Sequence, residues 1–270
     1  MITGQQATDG AGVKLVRVIG YYDTAEFDPF LMLDAFDSTN PDDYIKGFPW
    51  HPHRGIETVT YLLSGTIEHG DNMGNKGVIM PGECQWMTAG SGIIHQEMPK
   101  PSERMLGTQL WLNLPAKDKM THPAYRAITR DTIPVIKEKG TTVRIISGNY
   151  NGVKGATEGD YVNADYFDVA VAPDTQWNLT TDPDNTLFIY ILSGSGLIDD
   201  TEIKHKQAVL FNTGEIFEVK ATAPGLRFLL LSGKPLKEPI AWGGPIVMNT
   251  QKELDLAFEE LENNTFIKTV

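Results

Sequence analysis

"PWHPHRGIETVTYLLSG", residues 49 to 65, sets two histidines one residue apart ahead of an alternating, strand-like run. In an extended chain, residues two apart project to the same face, so His51 and His53 aim their rings at one point, with Cα atoms roughly 6 to 7 Å apart. Pro52 holds His51 extended and removes a backbone donor, which suits the entry to a strand rather than its middle. A second pair of the same design follows in "GSGIIHQEMP", residues 90 to 99, where His95 and Glu97 are two apart after a Gly-Ser-Gly turn. Two strands that each deliver two ligands make a four-ligand site of His51, His53, His95 and Glu97. Three imidazoles and a carboxylate suit Fe, Mn, Co, Ni, Cu or Zn, and leave one or two positions of an octahedral ion open for substrate or dioxygen.

Around these pairs stand residues with less definite readings. Glu57 shares parity with His51 and His53 if the strand runs without a bulge, which makes it either a rival ligand or an acceptor for a ring N–H. His69 and Asp71, in "EHGDNMGNKG", read as a solvated Gly-rich turn at the rim. Arg54 reads as a contact for an anionic substrate or as a surface charge. Cys84 is the single cysteine, so no internal disulfide or thiolate cluster forms; it reads as a small packed hydrophobe in a reducing compartment.

The wider sequence frames the site. A chain of 270 residues suits about two domains. Its 26 glycines, 16 prolines and short apolar runs point to an all-β protein of short strands and tight turns. The net charge of −12 and the lack of a Lys/Arg cluster exclude a basic nucleic-acid face. "MITGQQATDG" has no signal-peptide pattern, and the longest apolar runs, such as "FLLL" at 228 to 231, are too short to span a bilayer. The expectation is a cytoplasmic protein, with carriage into a nucleus by a partner left open.

Strands are expected at 13–19, 57–63, 104–114, 142–147, 166–172, 187–192 and 227–232. A helix is expected after Thr250, where Thr250 and Glu253 form a capping-box pattern and Leu254, Ala257, Phe258 and Leu261 fall at helical spacing. "TYLLSG" (60 to 65) recurs as "IYILSG" (189 to 194), and "GVIMPGE" (77 to 83) as "AVLFNTGE" (208 to 215), which makes the two halves a repeat. The Pro-containing segment 115–140 reads as the crossing, giving lobes at 1–135 and 136–270. Through the repeat, the places of His51 and His53 fall on Thr180 and Asp182, and those of His95 and Glu97 on Arg227 and Leu229, so the second lobe is expected to hold no metal.

"DPFLMLDAFDS", "GFPWHPHRGIETVTYLLSGTIEH", "GNKGVIMPGECQWMTAGSGIIHQEMP", "LWLNLP" and "GGPIVMNTQKEL" together resemble the pirin family of the cupin superfamily. The resemblance implies a bicupin: two antiparallel β-barrels packed face to face, with a C-terminal helix and one mononuclear metal, usually iron, in the N-terminal barrel. It places the ligands on His51, His53, His95 and Glu97 and leaves Glu57 behind them. Ser91 departs from the family pattern, where many relatives carry a basic residue, and this bears on the charge at the pocket mouth. The implied activity is that of an iron-dependent quercetin 2,3-dioxygenase acting on a flavonol-like substrate and dioxygen, with Glu97 as ligand or proton acceptor. The alternative, of a different class, is a metal- and redox-switched regulator that binds a protein partner without turnover. A sugar-phosphate isomerase is weaker, because no Lys/Arg cluster flanks the ligand motifs to hold a phosphate.

Overall fold

The structure is a computed structural model that describes residues 1–268, nearly all of them strand, turn or loop. Contacts divide the chain into two compact units. One gathers Gln5–Thr24, Phe30–Arg130 and the chain from Leu236 onward; the other gathers Met1–Gly4, Ala25–Pro29 and Asp131–Pro235. The expected boundary at 135/136 lies just past the Arg130–Asp131 junction, and the C-terminal segment folds with the first lobe. Segment 115–140 is more than a crossing. Its Ala124–Ile128 strand pairs with Cys84–Thr88 in the first lobe, and its Val135–Glu138 strand pairs with Thr141–Ser147 in the second.

The closed barrels expected from the sequence are replaced by β-sandwiches. In the first lobe a seven-stranded antiparallel sheet, bounded by the edge strands Gln5–Asp9 and Ala124–Ile128, lies over a four-stranded sheet bounded by Phe48–His53 and Lys76–Ile79. The chain passes from one sheet to the other at sharp corners, where the ladder lapses and edges open. At one corner, between strands Phe48–His53 and Ile56–Ser64, Gly55 has φ +76°, and a Cβ there would stand 2.0 Å from the Val247 carbonyl oxygen. Only glycine fits that bend. Apolar residues from both sheets, among them Leu62, Ile67, Ile79 and Met105, fill one end of the interior, and Leu31, Ile56, Met87, Ile93 and Val247 fill the other.

The second lobe is built around one nine-stranded sheet whose long strands Thr186–Ile198 and Ile216–Gly233 bend sharply. The bend falls at register shifts beside Gly194, where a Cβ would be 2.0 Å from the Gly225 carbonyl oxygen. Such bulges let a continuous sheet curl over its own core. That core is apolar throughout, centred on Phe167, Val169, Trp177, Phe217 and Phe228.

The C-terminal helix Gln251–Glu262 begins as its sequence requires. Thr250 caps it, with its side chain and that of Glu253 satisfying each other's backbone N–H groups. Leu254 and Ala257 are buried against Ile246, Met248 and Phe266, whereas Phe258 is the partly exposed edge of the apolar face. Among the described residues, no helix is long and apolar enough to cross a membrane.

Candidate metal centre

His51 and His95 sit directly opposite each other on paired strands, and His53 lies one pleat away on the first of them. Three of the four expected side chains converge: one ligand nitrogen from each of the three rings falls within 4.8 Å of the others. His53 and His95 are buried and His51 is half-buried. Burial pulls the proton affinity of all three rings down, that of His53 to about 3, so each ring is neutral near pH 7.

Backbone carbonyls decide which nitrogen of each ring is bare. His51 Nδ1 lies 2.8 Å from the Pro49 oxygen and His53 Nδ1 lies 3.0 Å from the Pro245 oxygen. A carbonyl only accepts, so both Nδ1 atoms carry the proton and both Nε2 atoms present a lone pair. Those two Nε2 atoms stand 3.0 Å apart. With neither protonated, this is no hydrogen bond but a repulsive contact that a cation between them would convert into attraction. Two nitrogens each roughly 2.1 Å from a common ion and at a right angle would be about 3 Å apart. His95 adds the third signal, because both of its ring nitrogens are buried without a hydrogen-bond partner. Orphaned buried donors and acceptors are costly, and a metal ligand is their ordinary explanation. The residues present fit a transition metal.

Glu97 is buried on the same strand two residues beyond His95, opposite His69 in an unbroken register. It stands outside the close three-histidine group. Its carboxylate turns toward the facing sheet, 2.8 Å from Thr60 Oγ1 and 3.3 Å from Gln109 Nε2, and Thr60 Oγ1 is also 2.6 Å from Gln109 Oε1. Thr60 has one hydroxyl proton for two acceptor oxygens. It serves one of them at a time, while Gln109 Nε2 donates to the other Glu97 oxygen, so the carboxyl is held as an acceptor. Burial pushes the Glu97 carboxyl up to about 7, against the pull of these two hydrogen bonds.

Glu57 goes elsewhere. The Gly55 corner breaks the parity on which the rival reading rested. Thr60 faces Glu97 across the sandwich, so Glu57, an odd number of residues away on the same strand, projects from the opposite face of the sheet. There it is buried and accepts a 2.6 Å hydrogen bond from Thr88. Arg54 is neither a substrate contact nor a surface charge. Fully buried, it donates to the Ser91 and Phe266 carbonyls, pairs with Glu260 at 2.7 Å and lies over the Phe266 ring, fastening the C-terminal segment to the site strand. Ser91 is itself buried. Asp71 holds its turn through Met73 and Asn75, but His69 is no solvated turn residue: it is buried and stacked on Tyr125, whose hydroxyl is 2.6 Å from its Nε2.

Several contributors had no reading in the sequence. Thr60 and Gln109 are polar residues at inward positions of their strands, where apolar side chains are the rule, and that was their signal. The Pro49 and Pro245 carbonyls carry none. Lys119 is buried and donates to the Gly55 and Val247 carbonyls and to Asn113 Oδ1 at 2.5 to 2.9 Å, pinning the segment that supplies Pro245 to the corner after His53.

A three-histidine cluster between the sheets of an antiparallel sandwich is the arrangement of a cupin-type candidate metal site. Comparisons with known proteins make this specific. Residues 12–112 match the family model for pirin and residues 166–267 that for the pirin C-terminal cupin domain. A pirin-like protein of Caulobacter vibrioides is 43% identical over 269 residues, covering 98% of this chain and 97% of its own length. A Pseudomonas aeruginosa protein, whose name gives quercetin 2,3-dioxygenase as a provisional activity, is 43% identical over 268 residues, covering 96% and 93%. A crystal structure of a quercetin 2,3-dioxygenase from Acinetobacter baumannii superposes with a TM-score of 0.90 at 33% identity, covering 98% and 96%. The chain belongs to the pirin family, and its fold is the bicupin fold of that family.

Proposed function

We propose that this protein binds one transition metal, Fe2+ in the working enzyme, and cleaves flavonols with dioxygen in the manner of a quercetin 2,3-dioxygenase. The observation that carries the metal is the pair of bare Nε2 atoms 3.0 Å apart beside a His95 with no other partner. The names of similar proteins supply the reaction class. In this reading Glu97 joins His51, His53 and His95 at the metal, and the second lobe carries none. The bound metal would supply a Lewis acid for a substrate hydroxyl and a redox centre for dioxygen. The chain's own part is proton management and dryness. Glu97, with its proton affinity near 7, receives the hydroxyl proton of the flavonol, and Thr60 and Gln109 hold its carboxyl in place. Trp111, its ring edge-on to His53 at 5.0 Å, shields the imidazoles from water.

The test is oxygen uptake by iron-loaded protein with quercetin, followed together with bleaching of the flavonol absorbance. Both are expected, and both should vanish in His95→Ala. Metal-loaded protein that consumes no dioxygen with any flavonol, or bleaching at the same rate in His95→Ala, overturns the dioxygenase and leaves the metal-switched binding protein as the better account.

A further inference from the structure

Five aromatic rings run in contact from the histidine cluster to solvent. His53 meets Trp111 edge-on at 5.0 Å between ring centroids, Trp111 lies against Trp242 at 5.7 Å, Trp242 against Tyr21 at 5.6 Å, and Tyr21 against Tyr22 at 5.3 Å. Each gap falls within the roughly 4.5 to 7 Å typical of aromatic rings in contact. Exposure rises along the file, from 2% at His53 to 58% at Tyr21 and 95% at Tyr22. The Trp242 indole is fixed by donating to the Gly244 carbonyl at 2.7 Å.

Packing accounts for the inner half of this file and not for the outer. Trp111 and Trp242 flank the apolar cluster around Ile56 and Val247. Tyr22, almost fully exposed, removes hardly any apolar surface from water and so gains little from burial. What the rings share is chemistry. Indole and phenol are among the side chains that most readily give up one electron, and here they are placed end to end with no aliphatic residue between them.

We propose that the rings from Trp111 to Tyr22 form a one-electron route that drains oxidising equivalents from the metal site to the surface. The route rests on a redox-active metal at the three imidazoles and needs no flavonol. Once dioxygen or a peroxide has oxidised that site without substrate, Trp111 gives it one electron and becomes a radical cation. Trp242 refills Trp111. Tyr21 or Tyr22 refills Trp242 and releases its phenolic proton to water, which leaves a neutral tyrosyl radical. A thiol or an ascorbate-type reductant in solution then supplies one hydrogen atom and restores the phenol. One oxidising equivalent leaves the site, every ring returns to its starting state, and His53 is spared.

The experiment treats iron-loaded protein with hydrogen peroxide in the absence of flavonol, freezes the mixture for electron paramagnetic resonance, and maps spin-trap adducts by mass spectrometry. A tyrosyl signal is expected, with adducts on Tyr21 and Tyr22. Trp242→Phe keeps a ring in place but resists oxidation; the tyrosyl signal should be lost and oxidation should shift to Trp111 and His53, with iron content unchanged. The double variant Tyr21→Phe/Tyr22→Phe alters only exposed positions, and its signal should become that of a tryptophanyl radical. Iron that is bound and oxidised without any tyrosyl signal, or a tyrosyl signal that survives in either variant, overturns the route alone. A chain that takes up no redox metal overturns the metal site, and the route with it.

Discussion

In the first lobe Thr60 stands between Gln85 and Gln109 on neighbouring strands; in the second, Ile189 holds the matching place in the repeat, between Val209 and Leu230. The contrast extends to the strands facing them. Where the first lobe pairs His51 with His95, the second pairs Trp177 with Val219 and Leu179 with Phe217, all within its apolar core. The backbone scheme is shared and the contents are opposite. An interior that brings three imidazoles and a carboxyl out of water carries a desolvation cost, which the first lobe meets with polar partners for Glu97, His51 and His53 and leaves unmet at His95. The second converts the same volume into hydrophobic burial, and among the described residues no other trio of metal-capable side chains comes together.

The comparison breaks most sharply at the metal. His95→Ala removes one imidazole of the proposed site and, with it, two buried nitrogens that no protein group satisfies, so the fold should survive while metal content drops from about one equivalent to none. Glu57→Gln changes a carboxylate on the far face of the sheet and should keep the metal. Elemental analysis of the two purified variants, beside wild type, checks both. Metal retained in His95→Ala, or lost in Glu57→Gln, would mean that the polar interior of the first lobe has been assigned to the wrong face.

Which parts of this were legible beforehand follows from how far each signal travels along the chain. His51, His53, His95 and Glu97 are pairs two residues apart, and strand geometry acts within that distance. The capping box at Thr250 and Glu253 is equally local. The repeat was visible in "TYLLSG" and "IYILSG", and Thr180 does lie on the strand that pairs as the His51 strand does, but the continuation to Arg227 and Leu229 did not hold. The second lobe runs Ile216–Gly233 as one long strand, and the segment that pairs as the His95 strand does is Ile216–Lys220. Leu229 instead lies on the strand stretch that pairs with Tyr190 and Asp168. Gly55 could be seen as a glycine, yet its corner, which turns Glu57 away, depends on Val247, far off in sequence. The carbonyls of Pro49 and Pro245 are backbone atoms, and no residue type announces them.

A smaller effect tests how the first lobe holds the segment that the second lacks. Lys119→Met leaves three buried oxygens without their donor, at a cost of about 3 kcal/mol in all. It should also weaken metal retention, because the Pro245 carbonyl that orients His53 loses its anchor. Burial lowers the proton affinity of Lys119 from 10.5 to about 7. Between those pH values the unfolded chain binds a proton that the folded chain does not, so this group adds stability as pH rises from 7 toward 10.5. Denaturant titrations across that range should show the wild-type slope flattened in Lys119→Met. An unchanged slope would place the titrating group elsewhere.

The mildest perturbation reaches the same segment from its far end. Thr250 accepts from the Glu253 N–H and its own N–H is taken by the Glu253 carboxylate, so Thr250→Ala frees the Glu253 N–H at the first turn of Gln251–Glu262. The expected loss is about 1 kcal/mol. It should be read locally, as faster hydrogen exchange of the amides from Glu253 to Leu256, while the amides of Phe228 and Leu230 in the second lobe keep their protection. The helix packs through Leu254 and Ala257 on the strand that carries Val247, and Val247 accepts from Lys119. A frayed first turn therefore reaches the His53 orientation only through two intermediaries, and metal content should stay at its wild-type value. Loss of metal in Thr250→Ala would show that the helix is coupled to the imidazoles more tightly than these contacts account for; equal deprotection in both lobes would show that the two unfold as one.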